Sequence, residues 1–265
     1  MNQPSLFEAA DAVNRLSRFL GPRDVPRLTG EALMARFQIP QADVMALFGG
    51  SILEGAAVMA QAMEAGAAKT YVIVGGEGHT TKALREAAAR RIPGLNTAGL
   101  PEARIFNALL KHDYGLEADL LECESTNCGN NITLLLSLLE RRKISFESII
   151  LTQDASMQLR MAAGLRRHRP DAHIISYAAY EARAAVRRGQ LAFQEDIPGM
   201  WPMDRYLSLL LGEIPRLTDD ENGYGPRGKG FIAHVDIPPE ISDAFSLLSG
   251  PFGGQIRRAD PRFQG

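Results

Sequence analysis

"DVMALFGGSILEGAAVMAQAMEAGAAKTYVIVGG", residues 43–76, decides how this chain is built. Its ends, "DVMALF" (43–48) and "TYVIV" (70–74), are short apolar runs of strand type. Between them, "ILEGAAVMAQAMEAG" sets Ile52, Ala56, Met59 and Met63 on one side of a helix, a spacing that fits a period of 3.6 and not 2. Two strands joined through a helix run parallel, and a parallel sheet is covered on both faces. The alternation continues through "DLLEC" (119–123), "SIILT" (148–152) and "HIISY" (173–177). "PEARIFNALL" opens with Pro101, which suits a first helical turn because its missing N–H is not needed there. "MQLRMAAGLRRHR" ends in a basic cluster, favourable at the negative end of a helix dipole. The expected fold is a doubly wound α/β domain over roughly residues 40–190.

The whole chain of 265 residues is 45% hydrophobic and 23% charged, with a formal net charge of -2. That length and composition allow one large core and a small second unit. Near-neutral charge gives no electrostatic reason to expect nucleic acid or an anionic membrane surface as partner. Cys123 and Cys128 are too few for a disulfide framework, and they lack the second pair or the histidines of a zinc site. No metal is expected, and a reduced, cytoplasmic chain is the plain reading. "MNQPSLFEAADAVNRLSRFL" (1–20) has no basic start followed by an uninterrupted apolar core. Leu6, Ala9, Val13, Leu16 and Leu20 fall instead on one face of a docked helix. No segment is apolar for long enough to span a bilayer.

After Ala184 the strand-type runs stop. "PMDRYLSLLLG" and "PPEISDAFSLLSG" each read as a helix with proline at its start and glycine at its end. "DDENGYGPRGKG" between them is dense in turn formers. Three regions follow: residues 1–39 as N-terminal helices packing on the core or the helical subdomain, residues 40–190 as the α/β domain, and residues 191–265 as a helical subdomain.

In an open parallel sheet, ligands bind beyond the carboxyl ends of the strands. Here those ends run into "GGSILEG" (49–55), "GGEGHTT" (75–81), "ESTNCGNN" (124–131), "QDAS" (153–156) and "AAYEAR" (178–183). Gly49, Gly50 and Ser51 either present backbone N–H groups and a hydroxyl to an anionic group or form a tight turn with Ser51 as helix cap. Gly75, Gly76 and Gly78 permit close backbone approach, and Glu77 is placed to hold a ribose hydroxyl or to sit solvated. His79 is the one histidine of five at this edge and is a candidate acid–base group. Gln153 and Asp154 follow the fourth strand directly, Asp154 as a working carboxylate or as a helix cap. Cys128 reads as a small turn residue, with no cation nearby in sequence to activate it. In "STNCGNN" (125–131), one of Ser125, Thr126 or Asn127 caps the helix that begins near Gly129. The remaining polar side chains, with Asn131, are then expected to face the crevice and a polar, uncharged or zwitterionic ligand.

Taken together, "FGGS", "VGGEGH", "EA" at Glu102-Ala103, "STNCGNN" and "LTQDASM" resemble the SanA/ElyC/YdcF family, a domain named for its unknown function, and most of all its soluble YdcF branch. The resemblance extends through "WPMDRYLSLLLGEIPRLTDD", "NGYGPRG" and "HVDIPPE" to cover nearly the whole chain. It implies a Rossmann-like three-layer α/β/α sandwich with a mostly parallel sheet, a small helical subdomain, and binding of S-adenosylmethionine. Three positions depart from the family pattern. Asn130 stands where a glutamate is usual, Ser156 where a histidine often precedes the methionine, and Leu159 where an arginine usually follows it, with Arg160 one step on.

Two functions of different class are therefore expected. One is binding of an adenosine-containing small ligand, most of all S-adenosylmethionine, by a binding protein or transferase. The other is hydrolysis of a phosphate- or pyrophosphate-bearing small molecule, with His79, Glu102 and Asp154 as acid–base candidates. An ordinary methyltransferase fold ends in an antiparallel strand pair, and none is legible before the helical tail. Tyr224, Arg227 and Lys229 lie in a glycine-rich loop that reads either as a lid over the pocket or as a surface turn.

Overall fold

The computed structural model describes residues 4–252. Residues 1–3 of the N-terminal region and 253–265 of the C-terminal subdomain lie outside the described residues. Along the chain run α1 (Leu6–Leu20), α2 (Gly30–Phe37), β1 (Ala42–Phe48), α3 (Glu54–Glu64), β2 (Ala68–Val74), α4 (Thr81–Arg91) and α5 (Glu102–Tyr114). Then follow β3 (Leu120–Glu122), α6 (Cys128–Arg141), β4 (Ser148–Thr152), α7 (Gln158–His168), β5 (His173–Ser176), β6 (Ala184–Arg187), β7 (Gln190–Phe193), α8 (Met203–Leu217) and α9 (Pro239–Phe252). The first five strands form one sheet in the order β3-β2-β1-β4-β5, and each neighbouring pair is parallel. With helices on both sides, this is a Rossmann-like three-layer α/β/α sandwich.

Strand alternation sorts the helices into layers. On β1, Val44, Ala46 and Phe48 join Ile132 and Leu135 of α6 and Met161 and Leu165 of α7. Met45 and Leu47 point the other way, to Leu33 of α2, Met59 of α3, Leu84 of α4 and Phe106 of α5, as the two-residue period of a strand requires. Buried on both faces, β1 reads as a continuous apolar run, broken only by the half-buried Asp43. A third cluster packs Val13, Leu16 and Leu20 of α1 with Tyr206, Leu210 and Leu211 of α8 and Leu248 of α9. It meets the sheet domain through Ala155 and Ala163 and through a buried ion pair between α7 and α8. There Arg160 Nε donates to Glu213 Oε2 at 2.5 Å and Nη2 to Oε1 at 3.1 Å.

Three expectations need correction. Strands do not stop after Ala184: β6 and β7 pair antiparallel through a two-residue turn, Arg188-Gly189. Both turn residues have positive φ, 51° and 73°, the geometry that matches hairpin twist. An arginine in the first of those positions hides the turn from sequence reading, since asparagine or glycine is the usual signal there. An antiparallel pair therefore does precede the helical tail, although it forms its own two-stranded sheet and does not extend the parallel one. Finally, α8 continues past Gly212 to Leu217 with Pro215 inside it, and α9 continues past Gly250 to Phe252 with Pro251 inside it. Burial of Glu213, Ile214 and Leu217 outweighs the local cost of Pro215.

Asp43 fastens the amino ends of three strands. Its Oδ1 accepts from Lys69 Nζ at 2.7 Å, and its Oδ2 from the N–H groups of Glu147 and Ser148 at 2.9 and 3.1 Å. Burial pushes this carboxyl up, but the Lys69 ammonium and the two N–H groups outweigh it and hold the pKa at about 2. A carboxyl lowered on folding adds stability above its unfolded pKa, and that stability is lost as pH falls through the folded value. Asp43→Ala should therefore cost about 2 kcal/mol at neutral pH, with the gap to wild type closing between about pH 4 and pH 2. Urea unfolding of both proteins across that range checks the size and the direction.

Candidate functional site

The strand order reverses between β1 and β4, with β2 and β3 on one side and β5 on the other. Open α/β sheets take ligands at such a reversal. Gly50 and Ile52 after β1, Gln153 and Asp154 after β4, and Ala179 after β5 enclose a cavity of about 10 Å³ there, floored by Leu47, Phe48, Gly55 and Phe106. That is room for about one water molecule.

Asp154 is the hub of this corner. Its Oδ1 accepts from Tyr180 OH and Ser156 Oγ, both at 2.7 Å, and from Ser156 N at 2.9 Å. Burial pushes its carboxyl above the usual range, against the pull of Tyr180 and Ser156. Burial, followed by the neighbouring Asp154, raises the Tyr180 phenol well above its ordinary value. Asp154 does not cap a helix, since α7 starts only at Gln158 with Met157 in the cap position. Ser156, just before Met157, thus closes the Asp154 turn.

The paired glycines have a packing cause. Glu102, the first residue of α5, is buried and wedged against both turns. A Cβ at Gly49 would lie 2.2 Å from Glu102 Oε2, and one at Gly75 would lie 2.9 Å from Glu102 Cβ. At Gly76 it would strike the Ser125 carbonyl oxygen at 2.4 Å. Glu102 Oε1 accepts from Thr81 Oγ1 at 2.6 Å, and burial raises its pKa against the pull of that hydroxyl. Gly78 and Gly50 differ from the other three. Their Cβ positions meet only Thr126 O at 3.5 Å and Gln153 Oε1 at 3.6 Å, ordinary contact distances. Glu77 is exposed and receives Arg85 Nη1 and Nη2 at 3.0 and 3.2 Å, and His79 is exposed in the same loop.

"STNCGNN" corrects the reading of its polar excess. The helix starts at Cys128, and Asn127 and Asn130 cap each other: Asn130 N donates to Asn127 Oδ1, and Asn127 N to Asn130 Oδ1, both at 2.9 Å. Asn130 Oδ1 also accepts from Thr126 N at 2.9 Å, while its Nδ2 donates to Thr126 Oγ1 at 3.1 Å. Asn130 therefore fills the third-position role that glutamate has in a capping box. Ser125 Oγ accepts from Gly76 N at 3.2 Å, and its carbonyl accepts from the N–H groups of Gly76 and Glu77. Of the expected ligand-facing group, only the half-buried Asn131 makes no side-chain hydrogen bond among the described residues. Sequence reading missed Glu122, whose buried Oε1 orders the turn by accepting from Glu124 N and Ser125 N at 2.6 and 3.1 Å. It also missed the cation beside Cys128. Burial opposes the charge of Arg160, but the Glu213 carboxylate that its guanidinium engages outweighs that and raises its pKa.

The Tyr224 loop is braced on α7 and α8. Tyr224 N donates to Arg216 O, Phe231 N and Ile232 N donate to Tyr224 O, and Ala233 N donates to Ala163 O. Asp219 ties the loop further, accepting from Arg227 N and contacting His234 Nδ1, each at 2.7 Å. With α8 and α9 this loop borders a cavity of about 620 Å³ that no strand-end turn lines. A different segment covers the reversal point. Ile197, Met200 and Trp201 pack on the cluster containing Ile52, and a Cβ at Gly199 would sit 3.4 Å from Ser51 O. Beneath it the Ser51 hydroxyl is buried without a partner, and so is Trp201 Nε1.

No helix among the described residues is long and apolar enough to cross a membrane. No three His, Cys, Asp or Glu side chains among them are grouped to hold a metal ion. A comparison with models of known protein families gives no match. The wedge geometry makes a direct prediction: Gly49→Ala should lower stability by about 1–3 kcal/mol through overpacking, measured as a fall in melting temperature, and Glu102→Ala in the same chain should recover part of it.

Proposed function

We propose that the protein binds an adenosine-containing small molecule, S-adenosylmethionine foremost, at the carboxyl ends of β1 and β4, as a binding protein or a transferase. The observation that carries this reading is the reversal of strand order between β1 and β4, with Gly50 on one side and Gln153 and Asp154 on the other. The resemblance of these turns to the SanA/ElyC/YdcF family supports the choice of ligand. Donor chemistry suits an amino-acid carboxylate near the β1 turn. Glu77 could receive the ribose hydroxyls once it releases Arg85. The available volume does not yet suit the ligand, because small-molecule pockets measure roughly 300–1,000 Å³ against the 10 Å³ present. Binding thus requires the segment around Gly199 and Trp201 to lift.

Hydrolysis of a phosphate-bearing small molecule remains the second reading, favoured by two buried carboxyls, Glu102 and Asp154, both pushed up by desolvation. It is the weaker reading, because Thr81 holds one and Tyr180 and Ser156 hold the other. Isothermal titration separates the two. S-adenosylmethionine and S-adenosylhomocysteine should bind saturably, about tenfold more weakly to Gln153→Ala, while Asn131→Ala should stay within about twofold of wild type. No heat from either ligand, together with phosphate release from a small ester that is lost in His79→Ala, would replace binding with hydrolysis.

A further inference from the structure

We infer that Gly50, Ser51 and the open first turn of α3 form a subsite for an oxyanion, a carboxylate or a phosphate carried by the ligand, beneath residues 197–201. This rests on the placement of the ligand at the β1–β4 reversal and names the group that its β1 side receives. Three independent observations converge on it. Ser51 is 3% exposed, and its hydroxyl has no hydrogen-bond partner. Native interiors keep few such groups, and each calls for an explanation. Second, α3 is uncapped: Leu53 stands in the cap position and offers no side-chain acceptor. From Gly50 to Glu54 no backbone N–H donates a hydrogen bond among the described residues. Ser5, Thr29 and Asn127 cap α1, α2 and α6, whereas α4, α5, α7 and α8 share with α3 the lack of a side-chain cap, so it is the buried Ser51 hydroxyl beside it that sets this helix start apart. Third, Gly50 borders the cavity, yet nothing packed around it forbids a Cβ, since the nearest atom would be Gln153 Oε1 at 3.6 Å. Gly49, one residue earlier, is glycine because Glu102 occupies the space. The missing side chain at Gly50 is explained by a ligand approaching the backbone.

A row of unused N–H groups, a buried hydroxyl and a bare backbone make an oxyanion cradle at the positive end of a helix. The acidic groups nearby do not fill it. Glu54, Glu195 and Asp196 line a separate cavity with Arg23 and Arg183, and Asp154 is engaged by Tyr180 and Ser156. The covering segment adds one more unused donor, Trp201 Nε1. Trp201 is also the single tryptophan of the chain, so its fluorescence reports on this cover without interference.

The test is a Trp201 fluorescence titration of wild type, Ser51→Ala and Gly50→Ala, with thermal unfolding to show that each variant folds. S-adenosylmethionine and methionine test the carboxylate, pyrophosphate and inorganic phosphate test the phosphate, and adenosine is the ligand without an oxyanion. Oxyanion-bearing probes should change the emission saturably. Their affinity should fall about tenfold in Ser51→Ala and about a hundredfold in Gly50→Ala, with adenosine indifferent to both changes. Equal affinity of S-adenosylmethionine for all three proteins overturns the subsite and leaves adenosyl binding standing. Saturation by pyrophosphate alone, sensitive to both variants, keeps the subsite and removes the adenosyl ligand. Wild type that responds to none of the five probes overturns the subsite.

Discussion

A single buried carboxyl sets the shape of the strand-end surface. Glu102 enters between the turns after β1 and β2, and both turns give up a side chain to admit it. The same residue docks a helix end: the N–H groups of Glu102 and Ala103 donate to the carbonyls of Gly76 and Gly75, each at 2.8 Å. Two of the donors that a helix start leaves unsatisfied are thereby satisfied by the neighbouring turn. Burial of an acid is tolerable because its charged form is disfavoured there and Thr81 supplies a hydrogen bond. The outcome is a β1–β2 corner that is locked and filled, and a β1–β4 corner that is not.

The sheet could be read from the sequence because burial on both faces leaves little choice of residue. "SIILT" coincides with β4, and the runs proposed for β1, β2, β3 and β5 each fall within two residues of the strand found. Elements carried by tertiary packing were harder. The β6–β7 hairpin is half-exposed and has mixed polarity, so no apolar run marks it. The extension of α8 is held by the burial of Ile214 and Leu217 together with the ion pair from Glu213 to Arg160 of α7, a partner 53 positions away in sequence. A local rule that ends a helix at glycine or proline cannot see that partner.

The site was legible in its edge and not in its focus. All the polar turns do gather at the strand carboxyl ends, but strand order is a tertiary property, and it sets the reversal beside the β1 and β4 turns and not beside the β3 turn. "STNCGNN" drew attention because it holds more polar residues than one cap needs. The surplus is absorbed by reciprocity, since each asparagine both donates to and accepts from the other and Thr126 serves Asn130. The Gly49–Ser51 turn read equally as an anion-facing turn and as a capped tight turn, and what separates the two is bonds that are not made, which no sequence displays.

The packing of α1 carries a consequence for how the chain comes into being. Ala9, Val13, Leu16 and Leu20 turn their apolar face to β6, α8 and α9, the last parts of the described chain to be synthesised. During translation that stripe leaves the ribosome early and meets only α7 and neighbouring turns before the C-terminal helices that cover most of it follow. Contacts this distant in sequence slow folding, and the exposed surface invites association in the meantime. The sheet can assemble first, strand by strand, while α1 waits. α1 is thus seated late although it is made well before its partners, and its apolar stripe is covered only when α8 and α9 close over it.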